Sequence, residues 1–199
     1  MIKAAGIIIA GGQARRMGGG DKALVRVEGR SLLERVIERL APQVSALALN
    51  ANGDPARFAP YPLPVLADDI ADQPGPLAGI VAGMAWARTQ NLDWVLGVAA
   101  DTPLLPLDLA RRLWDGLDDS TGIAVAASQG RVHPTCALWP CALEPEIRAA
   151  LDRGQRAVWR FAESRGAVVV EWPVQGFDPF ANVNTPADVA MISEILKRR

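Results

Sequence analysis

The chain has few of the residues that build disulfide frameworks or zinc sites, and no long hydrophobic run. Its 199 residues include 2 cysteines and 1 histidine, and Cys136, Cys141 and His133 have no metal-ligand spacing. No apolar run reaches the roughly 18 residues of a transmembrane helix. The formal net charge of −1 lacks the basic excess expected for binding duplex nucleic acid. We therefore expect a reduced, cytoplasmic protein without a membrane or nucleic-acid partner.

The composition that remains is that of an ordinary globular domain, with 50% hydrophobic and 22% charged residues. A chain of this length can bury a sizeable core without a metal or a disulfide. No segment is repeated or of low complexity. We expect residues 1–199 to form one domain.

Short apolar runs alternate with helical patterns along the chain. Ala4–Ala10 is continuously apolar and ends at glycine, which is typical of a fully buried strand. Further strands are predicted over 44–50, 65–67, 94–100, 122–127 and 167–172. Helices are predicted over 32–40, 77–88, 107–117, twice within 142–164, and after Thr185. This alternation predicts a doubly wound, Rossmann-like α/β fold, whose mostly parallel sheet carries helices on both faces.

Polar residues collect where the predicted strands end. The glycine-rich segment 11–22 follows the first strand, and Asn50, Asp68 and Asp101 close or follow three others. Parallel sheets of this kind bind ligands at their carboxyl edge, at a topological switch point. We expect one crevice there.

The segment Ile9–Lys22 is the strongest local signal. Its glycines let backbone amides approach a polyanion, and Arg15, Arg16 and Lys22 can offset phosphate charge. The spacing matches neither the P-loop nor the G-x-G-x-x-G motif. A flexible basic surface loop is the alternative interpretation.

The full string Ile-Ala-Gly-Gly…Arg-Met-Gly…Lys resembles the signature of the sugar-phosphate and molybdopterin nucleotidyltransferases. The molybdenum cofactor guanylyltransferases are the most similar group, and the similarity extends over almost the whole chain. Their pattern is matched, in order, by 50–52, Asp68, 74–79, 101–103, 133–135 and 182–186. Two positions depart from it: Ile9 stands where leucine is usual, and Ala100 where cysteine is common.

The resemblance implies transfer of GMP from GTP to molybdopterin with Mg²⁺, releasing pyrophosphate and giving a guanine dinucleotide. Lys22, Asp101 and Arg16 would be catalytic, and Asp101 would bind the metal. The nucleotide would contact Ile9, Ala10, Gly11, Gly12, Lys22, Asn50, Asp68 and Asp101. Molybdopterin would contact Asn182, Asn184 and Arg156. Proteins that deliver molybdopterin or mature molybdoenzymes are the expected partners.

Residue chemistry supports these roles and leaves alternatives open. A carboxylate such as Asp101 suits Mg²⁺, although it could instead cap a helix. Asn50 and Asp68 offer acceptors to the guanine donors, but both residue types also favour turns. Asn182 and Asn184 are two apart, so in an extended segment both face one way while Val183 faces the core.

Three rival functions remain. A cytidylyltransferase acting on the same pterin would more often show Leu-Ala-Ala-Gly and Asp-Gln-Pro than the Gly11-Gly12 and 101–103 sequences found here. Gly12, without a Cβ, would leave room for the larger purine. Sugar-1-phosphate nucleotidyltransferases are usually longer. A non-catalytic molybdopterin carrier is the rival from a different class.

Overall fold

The structure is a computed structural model that describes residues 1–11, 20–70, 75–117 and 122–198. Its strands are β1 (Ile2–Ile9), β2 (Arg26–Val27), β3 (Arg30–Ser31), β4 (Val44–Asn50), β5 (Val65–Leu66), β6 (Trp94–Ala99), β7 (Ala124–Ser128), β8 (Arg131–Pro140) and β9 (Val168–Trp172). Its helices are α1 (Leu32–Leu40), α2 (Pro76–Thr89), α3 (Leu109–Asp115), α4 (Glu144–Asp152), α5 (Val158–Ser164) and α6 (Pro186–Lys197). No described helix is long and apolar enough to cross a membrane.

A seven-stranded sheet in the order β5-β4-β1-β6-β8-β7-β9 forms the centre of the fold. Strand β8 runs antiparallel to both of its neighbours, and the remaining pairs in this sheet are parallel. The prediction of a mostly parallel sheet is confirmed. Strands β2 and β3 form a separate small hairpin.

Strand β8 and the β2–β3 hairpin were not predicted. Residues 131–140 contain Pro134 and do not alternate regularly between apolar and polar side chains. The β7–β8 register shifts between Val125 and Ala126, whose partners are Ala137 and His133. The irregular pairing therefore falls around Pro134, which lacks the N–H that a regular ladder requires.

Helices cover both faces of the sheet, as the predicted doubly wound architecture requires. On one face, α1 and α3 pack against alternate residues of β1 such as Ala4 and Ile8. On the other face, α2, α4 and α5 pack against Ala5 and Ile7. Alternation along a buried strand produces this two-sided core.

Reciprocal hydrogen bonds cap the first turns of α1 and α6. Ser31 Oγ accepts a hydrogen bond from Glu34 N at 3.0 Å, and the Glu34 carboxylate accepts from Ser31 N. Thr185 and Asp188 form the same reciprocal pair at the start of α6, ahead of Pro186 at its first turn. Each cap satisfies amides that the helix leaves without partners.

Candidate active site

The strand order reverses between β1 and β6, and the candidate site lies at their carboxyl ends. The chain runs from β1 to β4 and β5 on one side and then returns to β6 on the other. Ala10 N donates to Asn50 O at 2.8 Å, and Ala100 N donates to Ile9 O at 3.0 Å. These bonds align the ends of three strands, so the residues that follow them meet in one crevice, as expected of a switch point.

Lys22 and Asp101 form an ion pair at the centre of this crevice. The Lys22 ammonium contacts Asp101 Oδ2 and also donates to Asn184 Oδ1. The Lys22 and Asp101 side chains are only 13% and 15% exposed. The site thus joins three residues that are far apart in sequence. It also holds the Lys22 ammonium where a triphosphate could replace the Asp101 carboxylate as its partner.

The second carboxylate oxygen of Asp101 has no hydrogen-bond partner in the described part of the chain. Oδ1 is buried and makes no hydrogen bond among the residues that the structure describes. Helix α3 begins at Leu109 with Asp108 as its N-cap residue, so the alternative that Asp101 caps a helix is wrong. A buried carboxylate oxygen without a donor suits a cation.

Asn50 and Asp68 lie beside each other at the β4 end of the crevice. Asn50 Nδ2 donates to Asp68 Oδ1 at 2.8 Å and to Leu66 O at 3.1 Å. The Asn50 side chain lies against Gly79 of α2, where an added Cβ would be 2.2 Å from Asn50 Oδ1. The absence of a side chain at residue 79 therefore allows the Asn50 amide to occupy this position.

The segment after Phe180 brings Asn182 and Asn184 to the same edge. Both are exposed and Val183 is fully buried, which confirms the predicted alternation. Val183 N donates to Asp101 O at 2.9 Å, and Thr102 Oγ1 donates to Asn182 Oδ1 at 3.2 Å. Backbone pairing to Asp101 fixes the distance of this segment from the central ion pair.

Three cavities lie in a row along this edge of the sheet. The central cavity, of about 230 Å³, is lined by Lys22 and Asp101. The β4-side cavity, of about 250 Å³, is lined by Asn50 and Asp68 and shares Ile9 with the central one. The β8-side cavity, of about 330 Å³, is lined by His133, Asp178 and Asn184, and shares Thr135 and Asn182 with the central cavity.

The structure does not describe every predicted residue. Gly12 and Arg16 lie outside the described residues. Arg156 is exposed in the segment between α4 and α5 and lines none of the three cavities. Asp69, which follows Asp68, forms an ion pair with Arg148 of α4 at 2.7 Å, and the hydrogen bonds from Arg148 lower the pKa of Asp69.

Sequence reasoning missed a buried polar chain beside the β8-side cavity. Ser128 Oγ lies 2.7 Å from His133 Nε2 and donates to Asp178 Oδ1 at 2.9 Å. Because the Ser128 hydroxyl donates to the carboxylate, it accepts from His133 Nε2–H. Burial lowers the pKa of His133, and its ring stacks on Phe180 at 4.6 Å. Packing and one hydrogen bond thus hold the His133 ring in place.

Comparison with known proteins assigns the chain to a class. A profile of the MobA-like NTP transferase domain matches residues 6–168. The chain belongs to this MobA-like NTP transferase family.

Its relatives within the family have more specific names. The chain is 55% identical over 196 residues to the molybdenum cofactor guanylyltransferase of Rhodopseudomonas palustris (strain BisB5), covering 96% of this chain and 93% of that protein. It is 49% identical over 199 residues to the molybdenum cofactor guanylyltransferase of Mesorhizobium japonicum, covering 97% and 96%. The fold resembles that of molybdopterin-guanine dinucleotide biosynthesis protein A from Archaeoglobus fulgidus, with a TM-score of 0.76, 22% identity and coverage of 98% and 100%.

Proposed function

We propose that this chain transfers GMP from GTP to molybdopterin, forming a molybdopterin guanine dinucleotide and releasing pyrophosphate. The observation that carries this proposal is the Lys22–Asp101 pair in the central cavity, between two cavities of different lining. A two-substrate transferase needs a donor site and an acceptor site that meet at the reacting atoms. The names of the closely similar relatives support the choice of substrates.

The base of GTP would occupy the β4-side cavity, with its triphosphate in the central one. Asn50 and Asp68 supply acceptors to the N1–H and amino donors of guanine. Ile9 lines both cavities, Ala10 lines the central one and Gly11 lines the β4-side one. Contacts of Gly12 and Arg16 with the nucleotide remain predictions from the resemblance.

The residues of the central cavity fit a divalent metal ion. The described residues contain no cluster of three or more His, Cys, Asp or Glu side chains. Mg²⁺ in nucleotide sites needs few protein carboxylates because phosphate oxygens and water complete its shell. Oδ1 of Asp101, which is buried and accepts no hydrogen bond from the described residues, is such a ligand. When bound with GTP, Mg²⁺ would neutralise triphosphate charge.

Molybdopterin would occupy the β8-side cavity, next to Asn182 and Asn184. Thr135 and Asn182 form the border with the central cavity, so an acceptor phosphate at this border would be next to the nucleotide. A contact between the same phosphate and Arg156 remains a prediction, since Arg156 does not line this cavity.

The reaction needs no base from the protein. The acceptor phosphate monoester is already anionic near pH 7, as its second pKa of about 6 implies. Its oxygen attacks the α-phosphorus of GTP in line, and the bond from that phosphorus to the β-phosphate oxygen breaks. Lys22 lies where the charge on the leaving pyrophosphate develops, so its contribution is electrostatic.

The proposal also covers the domain organisation of the enzyme, its cellular location and its protein partners. It would work as a single nucleotidyltransferase domain spanning residues 1–199, in the cytoplasm. Its product would go to proteins that mature molybdoenzymes, and its pterin would come from a delivering protein.

Pyrophosphate release from GTP, Mg²⁺ and molybdopterin tests this proposal. We expect turnover by the wild type and a loss of roughly a hundredfold or more in Asp101→Asn, because one charged metal ligand is lost. Asp115→Asn removes the same charge from the surface of α3 and should retain full activity. A non-catalytic carrier would release no pyrophosphate in any variant.

A further inference from the structure

Asn52, two residues after Asn50, holds Asp68 through two hydrogen bonds. Its Nδ2 donates to Asp68 Oδ2 at 2.8 Å, and its Oδ1 accepts from Asp68 N at 2.8 Å. One side chain therefore fixes both the backbone and the carboxylate of Asp68. Asn52 itself is exposed, so burial of an apolar surface does not explain its position.

The two amides together set the plane of the Asp68 carboxylate. Oδ1 accepts from Asn50 and Oδ2 accepts from Asn52. The terminal torsion of an aspartate is soft, so a carboxylate held at one oxygen could still rotate. An ionised carboxylate offers about four acceptor positions, so each oxygen of Asp68 can still accept one donor from a ligand.

Arg57 fixes the turn that carries Asn52. Its guanidinium donates from Nη2 to Asn52 O and lies over the ring of Phe58, 4.9 Å from the centroid. Arg57 Nε is 2.9 Å from Asp21 Oδ2, and these side chains are 28% and 22% exposed. Asp21 directly precedes Lys22. The turn that carries Asn52 is thus connected to the segment that carries Lys22.

We propose that Asn52 is a positioning residue for base selection: it aligns the Asp68 carboxylate with the adjacent N1–H and amino donors of a guanine ring. The proposal rests on the proposed function, in which guanine occupies the β4-side cavity. Two adjacent donors require two acceptors in one plane. Asn50 holds Asp68 Oδ1 and Asn52 holds Asp68 Oδ2, so Asn52 completes this alignment. Adenine and cytosine do not present this pair of donors, so a fixed Asp68 discriminates against them.

Asn52→Asp tests the proposal because it keeps one hydrogen bond and inverts the other. The new carboxylate can still accept from Asp68 N, but it places an acceptor opposite Asp68 Oδ2, where Nδ2 now donates at 2.8 Å. Two carboxylates this close repel each other, which raises the pKa of one of them. A shared proton at lower pH restores a hydrogen bond between them.

Among the described residues, four charged groups lie on this turn, contact it or follow Asp68 in the chain. Arg57 and Asp21 lie on the side of the turn. Asp69 follows Asp68 in the chain but is paired with Arg148 of α4. Asp54 caps the short helix 55–58 through Ala56 N. These groups are the same in wild type and variant, so a difference in pH response reports the new carboxyl group.

Calorimetric binding of GTP and of ATP, each with Mg²⁺, is the measurement. At pH 7.5, Asn52→Asp should bind GTP about tenfold more weakly than wild type, as expected for one lost hydrogen bond to a charged group, with ATP unchanged. Near pH 5 most of the lost GTP affinity should return. Asn52→Ala should lose GTP affinity at both pH values, because no proton can replace its donor.

Asn91→Asp is the matched control. It makes the same substitution in the turn before β6, at the amino-terminal ends of the parallel strands and so away from the three cavities. This variant should bind GTP as the wild type does. If Asn52→Asp is indistinguishable from this control at both pH values, the positioning role is wrong. An equal loss of GTP and ATP binding would also contradict it, since it would show a general structural role. Wild type that binds GTP no better than ATP would instead contradict the proposed function.

Discussion

Gly79→Ala should weaken GTP binding although residue 79 offers no functional group. Gly79 lies in α2, and a Cβ built there would be 2.2 Å from Asn50 Oδ1 and 2.9 Å from Cγ. Ordinary contacts at such positions begin at 3.4 Å. The Asn50 amide would therefore have to move by about 1 Å, a displacement that can cost roughly a hundredfold when it misplaces a functional group.

The magnitude follows from what holds Asn50. A moved amide breaks its hydrogen bonds to Leu66 O and Asp68 Oδ1, each worth about 0.5–1.5 kcal/mol net. Alanine in the helix offsets about 1 kcal/mol of this loss. The net destabilisation is thus about 0–2 kcal/mol, or a fall in Tm of up to about 8 °C for a chain of this size. GTP affinity should fall by about tenfold to a hundredfold.

Gly83→Ala provides the matched control, one helical turn further along α2. Its Cβ would be 2.4 Å from Cγ1 of Ile7 in the apolar core, so it overpacks the same helix without touching Asn50. We expect a similar fall in Tm by thermal denaturation for both variants, and a loss of GTP affinity by calorimetry for Gly79→Ala alone. If Gly79→Ala binds GTP as tightly as Gly83→Ala does, Asn50 does not contact the base.

Three further predictions concern the rest of the edge. Lys22→Ala should weaken GTP binding tenfold or more, roughly the value of a charge-assisted contact; unchanged calorimetric Kd would contradict this. Asn182→Ala should spare GTP binding and slow dinucleotide formation, whereas Asn184→Ala should affect both because Asn184 contacts Lys22; equal kinetic profiles for the two would refute this difference. The backbone N–H of Asn184 lowers the pKa of Asp188 below 3.8, so Asp188 stabilises the fold above that pH and this contribution is lost as pH falls through its folded-state pKa. Asp188→Asn should lower Tm at pH 7 by about 2–4 °C, and this difference should shrink as the pH falls below about 4; a difference that does not shrink would show that charge is not involved.

Local sequence signals were sufficient for most elements of the fold. The apolar run of β1, the capping box at Ser31 and the Thr185–Pro186 helix start each act within a few residues, and all three are present. Strand β8 was missed although it follows β7 across the two-residue turn Gln129–Gly130. Its pairing with β6 joins distant segments, and its pairing with β7 includes a shift in register around Pro134.

The same distinction applies to the site. Residues that end parallel strands are brought together by topology alone, which made the grouping of Asn50, Asp68 and Asp101 predictable. The Lys22–Asn184 and Ser128–Asp178 contacts join segments that are distant in sequence and share no local pattern. Neither periodicity nor turn chemistry could indicate them.

The comparison of nucleotide substrates tests the central claim most directly. The measurement is kcat/KM for GTP, ITP, ATP and CTP, with molybdopterin and Mg²⁺, read as dinucleotide product. Asn50 and Asp68 should favour GTP over ATP and CTP by roughly a hundredfold or more, because those bases leave the polar groups of the site unpaired. ITP, which lacks only the amino group, should fall between them. Activity with CTP equal to or above that with GTP would contradict the assignment of guanylyl transfer.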